Sequence, residues 1–478
     1  MEALTSIIIE SLNFSAMYDV IKKTLLLCFA MTAIVCYGQT VSSKLTAAWQ
    51  RFENDSQLRN AISSLYVVDA KSGNVIFEKN ATIGLAPAST QKIITSASAY
   101  ELLGKDFRYQ TSFGYVGAIE GRILKGNFFI KPSGDPTLGS WRWKSTSDTA
   151  FMSQLTGSIK KLNITGYNGI KIAGGYWNDE TIPDGWIWQD IGNYYGAGAA
   201  GFNWRENQFD IILQSGKTIG DPVRIVEIKP AYQTTSFTSL ATSAAKGSGD
   251  NAYVYYPLSK PAAVVRGTIP VNENAFEISA AIPDPAAYFE NWFSTSLQLQ
   301  SKLTPIQYET RSTDSTLVYM HVSPPLDSII YWFNKKSINL YGEALVKTIA
   351  AQKEGQGATD KGTDLVKNLW KAKGIPPTEL NIVDGSGLSP LNRVTTHAHV
   401  RILQYALKQP WFKGFYYSLP EYNGMKLKSG TIRGVKGFCG YHTSGDGNEY
   451  IISFLVNNYN GSASALVKKM YAVLDVLK

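Results

Sequence analysis

The chain has 478 residues, of which 44% are hydrophobic and 18% charged, with a formal net charge of +8. That length exceeds one ordinary core and calls for two or three domains, and that composition excludes wholesale disorder. The positive balance would suit an anionic envelope polymer or lipid surface. With no long basic run it reads as ordinary surface variation, and no nucleic-acid partner is expected.

Lys22-Lys23 precedes an apolar run from Thr24 to Val35, and Cys36-Tyr37-Gly38 follows it. A basic flank, a short apolar core and small residues before the cut make 1–38 a secretory leader, cleaved after Gly38, with Met17 as an alternative start. The run is too short to favour a spanning helix. A lipoprotein signal ending at Cys36 is the rival reading, disfavoured by the bulk of Val35. A periplasmic location is expected. Removing the leader raises the net charge by one and leaves Cys439 as the single cysteine. No intramolecular disulfide can then form, and Cys439 reads as a small buried hydrophobe.

Residues 65–69 and 74–78 are β-rich runs joined by Ala70-Lys71-Ser72-Gly73, a hairpin pattern. Pro87-Ala88 leads into Ser89, and Ile93, Ile94, Ala97, Tyr100, Leu102 and Leu103 then recur at helical spacing until Gly104. From about residue 107, short β-like runs such as 126–131 are cut by Gly, Pro and Asp. Residues 236–251, rich in Ser, Ala and Gly, predict an exposed loop. Helical patterns return at 326–348 and 360–372, and the C-terminal end reads strand (425–432), strand (437–442), strand (450–456) and helix (462–477). The pattern predicts an α+β fold interrupted by a β-rich insert of roughly two hundred residues, itself of domain size.

The available chemistry is narrow. The four histidines, His321, His397, His399 and His442, form no HExxH, and no Cys/His cluster exists, so neither a metal nor a cofactor is expected. No GxSxG elbow occurs, because Asp384 precedes Gly385-Ser386-Gly387. Residues 196–201 match GxGxxG, but Phe202-Asn203-Trp204-Arg205 is a poor helix start, so a glycine turn is the expectation. SxxK occurs at Ser89–Lys92, and also at Ser158–Lys161 and Ser243–Lys246. Only Ser89 opens an apolar-patterned helix, where unpaired N–H groups and the positive helix end lie close. Lys92, three residues on, shares its face. Read by itself, Ser89 could equally be a helix cap. Ser337-Ile338-Asn339 and Lys428-Ser429-Gly430-Thr431 supply an SxN and a KSG in the chain order of serine penicillin-recognising enzymes. Gly430 would let a substrate backbone approach its strand.

With these motifs the chain resembles the peptidase S13 family, the class C low-molecular-mass penicillin-binding proteins of PBP4 type. Supporting strings are Gly134-Asp135-Pro136-Thr137-Leu138, Trp186-Ile187-Trp188-Gln189-Asp190, Gly192-Asn193-Tyr194-Tyr195-Gly196, Arg266-Gly267-Thr268-Ile269-Pro270 and Asp384-Gly385-Ser386-Gly387-Leu388-Ser389. The resemblance implies a serine β-lactamase/transpeptidase-like domain, a five-stranded antiparallel sheet with helices, over 39–113 and 318–478. Residues 114–317 are then inserted β-rich domains. It implies a D-Ala-D-Ala carboxypeptidase/endopeptidase that acts on peptidoglycan stem peptides and binds β-lactams. Ser89 would be the nucleophile and Lys92 its base. Ser337 would relay the proton to the leaving amine, and Asn339 would hold Lys92 and the peptide amide. Lys428, with Ser429, Gly430 and Thr431 alongside, would recognise the terminal carboxylate. The N–H groups of Ser89 and Thr431 would form the oxyanion hole. Asp190 resembles the carboxylate that meets the free amine of the diamino acid, or else caps a turn. Family members often carry arginine directly after Ser-Gly-Leu-Ser; here Pro390 stands there, with Arg393 three residues on. Another serine hydrolase on the same scaffold, an esterase or β-lactamase, and a non-catalytic envelope-binding protein are the alternatives.

Overall fold

The computed structural model describes Lys22 and residues 40–478, except 174–175, 231–234, 259–261, 302 and 306–314. The expected leader, its cut after Gly38 and Cys36 lie outside the described residues, Lys22 apart. Among the described residues no helix is long and apolar enough to cross a membrane.

Alternating side chains at the two ends of the chain build one antiparallel sheet. Its strands are β1 (Ile62–Asp69), β2 (Val75–Lys79), β3 (Met425–Ile432), β4 (Val435–Thr443) and β5 (Glu449–Asn457), in the order β3-β4-β5-β1-β2. A two-residue strand, Glu421–Tyr422, joins β3 at Met425 and Lys426 only. The sheet thus has a minimal sixth strand beyond the expected five, extended by a bond from the Leu427 N–H to the Pro420 carbonyl at 3.1 Å.

Period-two alternation gives this sheet two apolar faces. Leu65, Val67, Ile452, Phe454 and Val456 meet Trp49, Phe52, Leu466 and Met470 from the helices Val41–Glu53 and Ala463–Leu474. Tyr66, Val68 and Ile451 share the opposite core with three helices: α1 (Lys92–Leu103), α2 (Leu326–Lys335) and α3 (Asn339–Glu354). Each Leu- or Ile-sized side chain buried this way is worth about 1.5–3 kcal/mol. The surrounding helices of this core enclose α1, which is buried from Lys92 through Tyr100.

Between α1 and α2 lie three smaller sheets. One runs Thr304–Pro305, Gly166–Ile172, Ile123–Lys131, Gln110–Glu120, Ser315–Val322. The second runs Phe276–Ala281, Gln208–Gln214, Arg224–Lys229. In the third, Asn251–Tyr255 and Ser236–Ser239 flank Ala262–Pro270, which also pairs with Thr242–Ala244. Phe151, Trp204, Phe289 and Phe293 belong to a core of their own. The expected edges at 113/114 and 317/318 fall inside Gln110–Glu120 and Ser315–Val322, two strands that pair with each other.

Three readings of the sequence are corrected here. The loop expected over 236–251 contains two strands, Ser236–Ser239 and Thr242–Ala244, because both pair in parallel with Ala262–Pro270. Tertiary pairing overrides their Ser/Ala-rich composition. The helix expected over 326–348 breaks at 336–338, where Ser337 takes a left-handed φ of 57°. The β-rich middle also holds two helices, Asp148–Lys160 and Pro285–Ser301. In the first, Phe151, Met152, Leu155 and Ile159 form a buried stripe at helical spacing.

Candidate active site

Ser89 sits in a single 3₁₀ turn, Ala88–Gln91, that feeds α1. The turn is capped by Pro87 and α1 by Gln91, so Ser89 is not the cap that its position in the sequence allowed. Ala88 is left-handed, with φ 47°. Two glycines let neighbouring backbone press on this turn. A Cβ on Gly387 would lie 2.0 Å from the Ala88 carbonyl oxygen. One on Gly430 would lie 2.6 Å from the Pro87 oxygen and 3.0 Å from the Ser89 nitrogen. What Gly430 admits here is the chain's own serine turn, drawn against β3.

Lys92 is fully buried beneath Ser89. Its Nζ lies 2.9 Å from Ser89 Oγ, 2.6 Å from Asn339 Oδ1 and 2.8 Å from the Ser386 carbonyl oxygen. Burial, and next the charge of Lys428, hold its pKa well below the ordinary lysine value, against the pull of Asp384 and Glu343. A neutral amine has two N–H bonds and one lone pair. The amide and carbonyl oxygens only accept, so they take the two N–H bonds, and the lone pair is left facing the serine hydroxyl. The Asn339 amide cannot turn over, because its Nδ2 donates to the Tyr195 carbonyl at 2.7 Å.

The Ser386 carbonyl is held by two buried carboxylates. Asp384 Oδ1 accepts from Gln91 Nε2 (3.0 Å), the Gly387 N–H (2.8 Å) and Asn392 Nδ2 (2.9 Å). Its Oδ2 accepts from Trp186 Nε1 (3.0 Å) and the Ser389 N–H (2.7 Å). Glu343, one turn after Asn339 on α3, accepts the N–H groups of Gly385 and Ser386, each at 2.9 Å. Neither acid was singled out from sequence. The available signal was Glu343 at i+4 from Asn339 inside an otherwise buried helix.

Lys428 Nζ donates to Ser337 Oγ at 3.0 Å and to the Ser429 carbonyl at 2.8 Å. Burial pushes its pKa down to about 7, with a smaller push from Lys436 and an opposing one from Cys439. Cys439, its cross-strand partner on β4, is buried as expected, which raises its thiol pKa. Thr431 is exposed and its hydroxyl accepts from Lys436 at 2.7 Å.

Ser89, Ser337, Asn339, Thr431 and Asp190 line one cleft of about 1120 Å³, while Lys92 and Lys428 lie behind its wall. Ser429 meets Lys428 through its carbonyl. Asp190 belongs to a helical turn, Trp188–Ile191, whose cap is Ile187 with no side-chain bond, so the capping alternative for Asp190 does not hold. Burial raises its carboxyl pKa, and the Tyr195 hydroxyl donates to it at 3.4 Å. Arg393 is tied to its own loop, donating to the carbonyls of Pro390 (2.6 Å) and Asn392 (2.8 Å). Pro390 and Arg433 line the cleft instead. The glycine turn at 196–201 leads into a bend and a 3₁₀ turn, Arg205–Asn207, not a helix.

A sheet of this order, with the serine turn pressed on its edge strand, defines the β-lactamase/transpeptidase class of α+β folds. Within that class the chain belongs to the D-Ala-D-Ala carboxypeptidase 3 (S13) family, which it matches over residues 45–476. It is 26% identical over 455 residues to a D-alanyl-D-alanine carboxypeptidase of Actinomadura sp. (strain R39), covering 88% of this chain and 82% of that one. It is 24% identical over 415 residues to the carboxypeptidase DacB of Haemophilus influenzae, covering 81% and 83%. The crystal structure of penicillin binding protein 4 (DacB) from Haemophilus influenzae matches with a TM-score of 0.75 at 21% identity, covering 91% of this chain and 99% of that chain.

Proposed function

We propose that this D-Ala-D-Ala carboxypeptidase is acylated on Ser89, with Lys92 as the base. The observation that carries the reading is the contact set of Lys92 Nζ: two pure acceptors and the Ser89 hydroxyl, 2.9 Å away. Lys92 takes the hydroxyl proton as Ser89 Oγ bonds to the carbonyl carbon of the penultimate D-alanine. The resulting oxyanion is met by the N–H groups of Ser89 and Thr431, where one such donor is typically worth ~3 kcal/mol of barrier. The C–N bond then breaks, and the leaving D-alanine amine receives a proton through Ser337, bridged to Lys428. Water hydrolyses the ester in a second round with the same groups. Lys428, with Ser429 and Thr431 beside it, pairs with the terminal carboxylate. Its pKa of about 7 sets the pH window: carboxylate binding weakens as pH rises through that value.

A β-lactam offers the same serine a strained amide beside a carboxylate, so it is taken up as a slow acyl-enzyme. The test is labelling with fluorescent penicillin, wild type beside Ser89→Ala. Label on the wild type alone is the expected result; no label on the wild type sinks the assignment, and equal label on both moves the nucleophile elsewhere.

Cross-link cleavage is a second activity of the same site. The cleft of about 1120 Å³ is larger than the roughly 300–1,000 Å³ of a small-ligand pocket, which leaves room for a second stem peptide. Asp190 is proposed to pair with the free amine of the diamino acid. Asp190→Ala should erase roughly 10- to 100-fold of preference for stems carrying that amine, the worth of one charge-assisted hydrogen bond. Unchanged preference rejects the role.

The division into a discontinuous catalytic part and an inserted β-rich part belongs to the same proposal, supported by the separate cores, with the edges moved outward so that the paired strands Gln110–Glu120 and Ser315–Val322 fall in the insert. So does export to the periplasm by a leader cut after Gly38, which N-terminal sequencing of the mature protein checks.

A further inference from the structure

We propose that Glu343 is a positioning residue for acylation: by gripping the Gly385 and Ser386 N–H groups it aims the Ser386 carbonyl at Lys92, and so turns the amine lone pair toward Ser89. The proposal rests on the Ser89–Lys92 reading and deepens it.

Glu343 is fully buried and does not line the cleft, so it meets no substrate. A buried carboxylate is costly unless its oxygens are satisfied. Here each oxygen takes one backbone N–H of adjacent residues, at 2.9 Å. The peptide plane between Gly385 and Ser386 is thereby fixed from one side. From the other, Thr95 Oγ1 donates to the Gly385 carbonyl at 2.6 Å. That plane fixes Ser386 from its N-terminal side, the next plane is held through the Gly387 N–H, which donates to Asp384 Oδ1 at 2.8 Å, and the Ser386 carbonyl set between the two grips reaches Lys92 at 2.8 Å. α3 lies close enough to do this because two glycines meet: a Cβ on Gly385 would sit 2.2 Å from the Gly342 carbonyl oxygen, and one on Gly342 would sit 2.9 Å from that of Gly385. Asn339 and Glu343 share one stripe of α3, four residues apart, so a single helix sets both acceptors that orient the amine.

The charges around the pair are few. Glu343 faces Asp384, Lys92 and Lys347; Lys92 faces Glu343, Asp384 and Lys428. Burial and Asp384 push the Glu343 carboxyl up, to about 8, opposed by the two N–H bonds and Lys92. Two N–H donors aimed at its two oxygens favour the anion, which is the dominant form above about pH 8, where the plateau is read.

Two substitutions separate reach from charge. Glu343→Gln keeps the reach, loses the charge and opposes one N–H with an amide. Glu343→Asp keeps the charge and loses the reach. The measurement is the second-order acylation rate for fluorescent penicillin as a function of pH, normalised to the fraction of protein that titrates with penicillin, so that misfolded protein drops out. Both variants should lose about 10²-fold at the high-pH plateau, the usual cost of a reacting group misplaced by an ångström. Because Glu343 raises the Lys92 pKa, removing its charge should also move the midpoint of the rising limb to lower pH in the Gln variant, while the Asp variant stays near the wild type. A wild-type plateau in either variant overturns the proposal, as does a lowered plateau with an unmoved midpoint in the Gln variant. If one variant fails to fold, the other still decides through its plateau. A wild type that takes no label fails the Ser89 assignment instead, which keeps the two failures apart.

Discussion

The interior around Lys92 and the interior around Trp204 exclude water alike but are filled by different chemistry. Around Lys92 the buried amine, amide and carboxylates are joined by hydrogen bonds of 2.6–3.0 Å. Around Trp204 the core is aromatic, with Phe151, Phe289 and Trp292 rings at 4.8–5.4 Å from it. Within it Asp135 and His321 stay 3.8 Å apart, and Asp135 Oδ2 and His321 Nε2 have no hydrogen-bond partner. Burial pushes the Asp135 pKa up and the His321 pKa down, so both lean toward neutral. Polar groups bonded on several sides hold an orientation, even with Gln91 Oε1 left unpartnered beside Asp384; loosely partnered ionisable ones are tolerated by losing charge.

The contrast can be broken at its strongest point first. Lys92→Met should lower penicillin acylation at neutral pH by roughly 10²–10⁴-fold, the span of general-base catalysis. Stopped-flow labelling reads it, and a smaller loss would mean that another base serves Ser89. On the other side, Phe289→Ala should cost about 3–5 kcal/mol of stability through the cavity it leaves. Chemical denaturation reads that loss, and the acylation rate of the folded fraction should stay within a few-fold, which tests whether the two interiors are separable.

His399 sharpens the comparison, because it is a buried group packed against β5 with only one nitrogen satisfied. Its Nδ1 lies 3.1 Å from Ser453 Oγ, while Nε2 has no partner. Burial drives its pKa down to about 3, so the folded protein keeps it neutral where the unfolded chain, with an ordinary value near 6.5, binds a proton. Stability is therefore lost as pH falls below 6.5, by about 2 kcal/mol at pH 5. His399→Asn, which can keep the Ser453 contact, should flatten denaturation midpoints between pH 7 and pH 5; an equally steep slope would place the effect elsewhere. The smallest change is expected at Asp135→Asn. The bonds from the Thr137 N–H and hydroxyl to Oδ1 are kept and a donor is offered toward His321, so the cost should be under about 1 kcal/mol.

What the sequence made legible follows the same division. Ser89 and Lys92, Ser337 and Asn339, and Lys428 to Thr431 are short-range patterns, readable because their chemistry demands particular residue types a few positions apart. The apolar helical pattern that follows Ser89 then selected among the repeated SxxK serines. Glu343 and the carbonyls of Ser386 and Tyr195 were not readable, because each acts across segments distant in the chain, and Asp384 was not, because its bonds to the nearby Gly387 and Ser389 N–H groups gain meaning only once Lys92 is packed against that loop. The strands of β1 to β5 showed their alternation, whereas Thr242–Ala244 is held by a partner that no local composition announces. Asp148–Lys160 was hidden by β-like runs on either side, although its apolar stripe was present.

Ser337 carries one consequence beyond its hydroxyl. It stands in the left-handed region at φ 57°, a conformation that costs a side chain about 1–2 kcal/mol and a glycine almost nothing. Ser337→Gly would relax that turn and free Lys428 of its 3.0 Å partner. Selection for heat resistance alone would therefore favour glycine there, and selection for turnover would forbid it. On the proposed role of its hydroxyl, this chain carries the less comfortable residue at that turn, so durability and activity would compete there directly.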